Sequence, residues 1–188
     1  MDVFLLRHAE TENNRNGELA AGSNDPLTQH GHSQAQSIIE RLLSFEIEGI
    51  LCSPYPRALD TIRPFAEVAK TKIEVHPCLA EGHLLLGESP AREEPKYCLH
   101  ASGYYYPQEN EAPGAFMGRV AEAHKLIETQ SFSRILVVTH GHVLRELLNS
   151  ILALPNKTRF PHDNCGLTHM SLGGVNIVRY INRPMSSV

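Results

Sequence analysis

The sequence has no long block of Lys or Arg, and its formal net charge is −4. A protein that follows a nucleic-acid backbone concentrates cations on one surface, so nucleic acid is excluded as an expected partner. The apolar run Val3-Phe4-Leu5-Leu6 is far too short for a signal peptide or a membrane span, and no basic residue precedes it. The expectation is a cytoplasmic protein without membrane contact. Cysteine is sparse: Cys52, Cys78, Cys98 and Cys165 stand far apart. They lack both the Cys-x-x-Cys pairs of zinc sites and the density of a secreted disulfide scaffold, which fits reduced thiols. A length of 188 residues suits one buried core, hence one domain over 1–188.

What is present is alternation. Val3–Leu6 is a continuous apolar run that stops at Arg7-His8-Ala9-Glu10, as a buried parallel strand stops at a polar loop. Ala35, Ile38, Ile39, Leu42 and Leu43 recur at helical spacing, predicting a helix over 32–44 with Ser33 near its cap. Gly49–Cys52 reads as a second strand. It runs into Ser53-Pro54-Tyr55-Pro56-Arg57, a turn opening a helix on Leu59, Ile62 and Phe65. A third strand is expected over 72–76. Residues 83–113 are rich in Pro, Gly, Tyr and Glu without a sustained period, and read as an insertion over the site. A helix returns over 116–127. Arg134–Thr139 is the clearest strand, followed by His140-Gly141-His142 and a helix through Leu152. Leu167–Leu172 and Val175–Ile181, around Gly173-Gly174, predict an edge hairpin at which two copies could pair.

This order implies an α/β fold, a three-layer α/β/α sandwich around a mostly parallel sheet with an antiparallel edge hairpin. Ligands of such sheets gather beyond the carboxyl ends of the strands. Arg7, His8, Arg57 and His140 should meet there, with Glu81 just after the third strand. Two guanidiniums match the oxygens of a phosphoryl group, a neutral imidazole can attack phosphorus and later leave, and a carboxyl can protonate a leaving alkoxide. The substrate class expected is a small phosphorylated molecule. Glu10, Glu88 and Glu111 compete with Glu81 for the acid role.

These motifs resemble the histidine phosphatase superfamily, the phosphoglycerate mutase-like fold. Arg7-His8-Ala9-Glu10-Thr11 is similar to its Arg-His-Gly-Glu-Thr/Ser. Gly22, Asp25-Pro26-Leu27-Thr28 and Gly31 resemble its Gly…Asp-x-Pro-Leu-Thr…Gly. Ser53-Pro54-Tyr55-Pro56-Arg57-Ala58 with Thr61, Val138-Thr139-His140-Gly141 and Asp163-Asn164-Cys165-Gly166-Leu167-Thr168 follow in the family's order. The resemblance implies His8 as phosphate acceptor, Arg7, Arg57 and His140 as clamp, and Glu81 as proton donor. It implies Thr11, Asn14, Gly22 and Gly141 as auxiliary substrate contacts, and chemistry with no metal and no cofactor. Ala9 stands where the family usually has glycine, His142 where a small or amide residue is common, and no Gly-x-Trp-Glu-Gly follows Glu81. The expected activity is phosphate-monoester hydrolysis. A phosphomutase of the phosphoglycerate mutase type and a phosphate-binding pseudoenzyme are the alternatives.

Plainer readings compete residue by residue. Arg57 could pair with Asp60 or Glu67, a surface contact worth roughly 0–1 kcal/mol. His140 could be a hydrogen-bonded core histidine. His30-Gly31-His32 and His140-Gly141-His142 look like paired metal ligands, yet no Cys or carboxylate recurs at zinc spacing. Cys52 lies one residue too near Arg57 for a cysteine-phosphatase loop. Tyr104-Tyr105-Tyr106 either covers apolar surface or touches substrate.

Overall fold

The computed structural model describes residues 1–18, 22, 24–82, 91–154 and 158–185. Among them a six-stranded sheet is built from β1 (Asp2–Arg7), β2 (Gly49–Cys52), β3 (Ile73–Val75), β6 (Arg134–Thr139), β7 (Gly166–Ser171) and β8 (Ile177–Pro184). Its order is β3-β2-β6-β1-β7-β8. The first four of these run parallel, while β7 is antiparallel to β1 and β8 to β7. The mostly parallel sheet with its antiparallel edge hairpin therefore holds as expected.

Side chains alternate across the sheet and fill two cores. Phe4 and Leu6 join Ile50, Cys52, Leu136 and Val138 beneath α2 (Gln29–Ser37), α3 (Ile39–Leu43) and α4 (Pro56–Ala69). Val3 and Leu5 join Leu51, Ile135 and Val137 on the opposite face, beneath α5 (Pro113–Glu128) and α6 (Gly141–Ile151). Period-two burial on both faces is what lets short Val/Leu/Ile strands sit in the middle of three layers.

Three expectations need correction. The helix over 32–44 is two segments that begin at Gln29, and Thr28 is the cap, its hydroxyl accepting from Gly31 N. Ser33 instead donates back to Gln29 O inside the helix. A short α1 (Glu12–Asn16), capped by Thr11, was not anticipated. The 83–113 stretch is not wholly irregular: β4 (Tyr97–Leu99) and β5 (Tyr105–Pro107) pair antiparallel in a separate two-stranded sheet.

The register sets the site. Arg7 pairs with Thr139 and Cys52 with Val138, so β1, β6 and β2 end level. The ladder continues one step past each strand, His8 N donating to Thr139 O at 3.0 Å and Ser53 N to Val138 O at 3.0 Å. The loop after β1 is pinned from below by α2. A Cβ on Gly31 would lie 2.1 Å from Glu10 O, so only glycine allows this approach. Thr28 donates from its backbone to Glu10 O and from its hydroxyl to Glu10 Oε1.

Candidate active site

His8 sits at the first turn beyond β1 with 3% of its surface exposed. Its Nδ1 lies 2.7 Å from Ala9 O. A carbonyl only accepts, so the ring proton is on Nδ1 and the lone pair on Nε2. Burial first, and then the Arg57 and Arg7 guanidiniums, hold its pKa well below the ordinary imidazole range. The lone pair is therefore kept at neutral pH. The surrounding backbone is fixed on every side: Ala9 N donates to Thr61 Oγ1, Thr61 Oγ1 to Arg57 O, and Asn164 Nδ2 to His8 O.

Two guanidiniums flank this imidazole. Arg7 donates from Nη1 to His162 O at 2.6 Å, and its buried Nε makes no hydrogen bond. A buried unspent donor is costly unless something arrives to accept from it. Arg57 stands at the start of α4, 1% exposed, donating from Nη1 to Gly22 O at 2.6 Å and stacking 4.9 Å from the Tyr55 ring centre. Its burial removes the reading as a surface ion pair: Asp60 pairs instead with Arg63.

His140 is brought to the same point by β6. Arg57 Nε lies 3.2 Å from its Nδ1, and Ser53 Oγ lies 2.7 Å from its Nε2. Arginine only donates, so Nδ1 of His140 accepts and Nε2–H donates to Ser53. Both nitrogens are thus engaged within the protein, and the ring packs 5.1 Å from that of His8. Burial, then Arg57 and His8, depress its pKa well below the usual value. The structure thus brings His140 into one cluster with Arg57 and His8. Ser53, read from sequence as a turn residue, is the second anchor of that ring.

The auxiliary residues divide. Thr11 is fully buried and its hydroxyl accepts from Asn14 N, so it reaches the site only by capping α1. Asn14 Oδ1 accepts from Thr11 N and from Asn164 Nδ2. Gly22 contributes a carbonyl to Arg57. Gly141 is the first residue of α6, whose N-terminus has no side-chain cap, and a Cβ there would meet only Arg7 Nε at 3.9 Å. An uncapped helix start facing two guanidiniums adds to the pull on an anion.

The contest among carboxylates narrows by partner. Glu10 is tied to Thr28. Glu111 gives both oxygens to Arg119, each at 2.6 Å, in a buried pair. Glu88 lies outside the described residues. Glu81, 10% exposed at its side chain, accepts from Gly82 N and lies 3.9 Å from His142 Nδ1. It also lies close enough to raise the pKa values of both Arg7 and Arg57 against the effect of burial. Arg119, fully buried in α5, holds its backbone. That guanidinium makes five hydrogen bonds, to Cys78 O, Ala80 O, Glu81 O and twice to Glu111. Sequence reasoning missed Arg119. The available signal was a cation inside an otherwise apolar helical stripe between Phe116 and Ala123.

The remaining rivals separate spatially or electrostatically. Cys52 is wholly buried, and burial drives its thiol pKa far upward, which removes the thiolate a cysteine phosphatase needs. His30 and His32 are exposed on α2, whereas His140 is fully buried. Among the described residues no group of three His, Cys, Asp or Glu could hold a metal. Tyr106 packs on Tyr55 and His100 and lines a cavity of about 790 Å³ beside Glu81, whereas Tyr105 is 55% exposed. Among the described residues no helix is long and apolar enough to cross a membrane.

Comparison with known proteins points the same way as this geometry. A family model described as the histidine phosphatase superfamily (branch 1) matches residues 3–180. The adenosylcobalamin/alpha-ribazole phosphatase of Escherichia coli is 30% identical over 168 residues, covering 82% of this chain and 81% of that protein. "Probable phosphoglycerate mutase GpmB" of Proteus mirabilis is 27% identical over 186 residues, covering 90% and 84%. The crystal structure of the alpha-ribazole phosphatase from Shigella flexneri superposes with a TM-score of 0.77 at 23% identity, covering 100% of this chain and 99% of that one, a likeness of fold.

Proposed function

The chain belongs to the histidine phosphatase superfamily, and from that premise we propose that it hydrolyses phosphate monoesters in two steps through a phosphohistidine on Nε2 of His8. The observation that carries this is the tautomer: Nδ1–H is committed to Ala9 O, so the unprotonated Nε2 is the ring atom left to attack. The Nε2 lone pair attacks phosphorus as the bond to the ester oxygen breaks, and Glu81 gives its proton to that oxygen. Ala9 O then faces the ring N–H as positive charge develops on the imidazole.

In the second step the Glu81 carboxylate takes a proton from water. The water oxygen bonds to phosphorus, the P–N electrons return to Nε2, and orthophosphate leaves with Glu81 again protonated. Arg7 and Arg57 supply fixed donors to the equatorial oxygens throughout, and removing one such donor typically costs about 2.7–4 kcal/mol of transition-state stabilisation. Nothing in this sequence requires a metal ion.

The reading is tested by turnover of 4-nitrophenyl phosphate in excess chelator. Orthophosphate should appear one for one with nitrophenol at an undiminished rate. Arrest by the chelator, restored by zinc, would overturn the metal-independent assignment. Conversion of 3-phosphoglycerate to its isomer without orthophosphate would make the chain a mutase instead.

A further inference from the structure

We infer that the cavity beside Glu81 receives the leaving-group side of the ester and selects substrates whose leaving group carries no second anionic charge; the inference rests on the phosphatase reading above. Its place follows from shared residues. Tyr55, Gly22 and Glu81 line it, while Arg57 stacks on Tyr55 and donates to Gly22 O. Whatever is bonded to the oxygen that Glu81 protonates must extend past Glu81, and that direction is this volume of about 790 Å³, within the ~300–1,000 Å³ of ordinary ligand sites.

The charge preference follows from what lines it. Tyr55, Tyr106, Leu99 and Pro107 form an apolar wall, and Gln108 and Asn110 add uncharged polar groups. Among the described lining residues there is no Lys or Arg, while Glu109 brings a carboxylate. Two buried guanidiniums adjoin the lining and both are engaged: Arg57 donates to Gly22 O and to His140 Nδ1 on the phosphate side, and all five N–H groups of Arg119 are bonded to Glu111 and to three carbonyls. His100 accepts at Nδ1 from Ser102 N, which leaves Nε2–H as an additional donor among the lining groups. A carboxylate or second phosphate entering here would shed water without gaining a cation, and would face Glu109.

Three esters test this: 4-ethylphenyl, 4-(aminomethyl)phenyl and 4-(carboxymethyl)phenyl phosphate, in which a methylene insulates the charge from the phenolic oxygen. At pH 8, where an ordinary imidazole is uncharged, kcat/KM for the carboxymethyl ester should fall at least about tenfold below that of the ethyl ester, the ratio that ~1.4 kcal/mol of repulsion produces. The aminomethyl ester should match or exceed the ethyl one. Glu109→Lys should narrow the carboxymethyl-to-ethyl ratio, a quantity independent of how much protein is folded. Equal or faster turnover of the carboxymethyl ester overturns the inference while leaving the phosphatase reading intact. Absence of turnover with all three, and with nitrophenyl phosphate, removes that reading and the inference with it.

Discussion

Burial and two flanking guanidiniums keep the His8 imidazole neutral, which in the proposed mechanism leaves the Nε2 lone pair to attack phosphorus. The acid role proposed for Glu81 makes the first prediction. Glu81→Gln should slow hydrolysis of an alkyl phosphate by ~10²–10⁴-fold, the range of general acid catalysis. It should slow nitrophenyl phosphate far less, because that oxygen leaves without a proton. Equal losses on both substrates would take Glu81 out of the acid role. Arg7, His8, Arg57 and His140 were legible in sequence because each lies where an apolar run breaks into polar residues. Ser53 and Asn164 were not legible as site partners: their contacts, Ser53 with His140 and Asn164 with His8, span 87 and 156 residues. No local period encodes such distances.

Elements tell a complementary story about α5 and the turn it grips. The 3-10 turn at Pro77–Leu79 ends β3 and presents Glu81, with Arg119 holding its carbonyls and Gly82 packed under Phe116, where a Cβ would lie 2.1 Å from the ring. Arg119→Met strips these carbonyls and leaves Glu111 as an uncompensated buried charge, so stability should drop by about 3–5 kcal/mol in urea unfolding. Adding Glu111→Leu should recover a large part of that loss. A single-variant cost under about 0.5 kcal/mol would mean the pair does not hold the turn. Strands β1, β2 and β6 were legible because their apolar runs are long enough to show. The hairpin of β4 and β5 was not, since three-residue strands with Cys98 and Leu99 exposed display no alternation. The start of α2 was misplaced for a different reason. Its first turn is Gln29-His30-Gly31-His32, whose buried member is a glycine, so the apolar stripe begins only at Ala35.

At the scale of the molecule, several buried imidazoles couple stability to pH. His8, His140 and His162 all have pKa values lowered chiefly by burial. Above the ordinary imidazole value near 6.5 both folded and unfolded forms are neutral, and the full stability is present. Below it the unfolded chain takes up protons that the folded one refuses, so stability falls as pH falls, by up to ~1.4 kcal/mol per pH unit for each such histidine. The urea midpoint should therefore decline from pH 7 to pH 5, and a flat midpoint over that interval would show these rings to be exposed or paired. The formal net charge of the chain is −4, while Arg7 and Arg57 make the cluster around His8 locally cationic. The proposed mechanism requires that one atom, Nε2 of His8, become phosphorylated. Rapid acid-free quenching during turnover of a radiolabelled ester should give an alkali-stable, acid-labile label on the peptide containing His8, and none in His8→Ala. A label carried by another residue, or undiminished turnover in His8→Ala, would contradict the account.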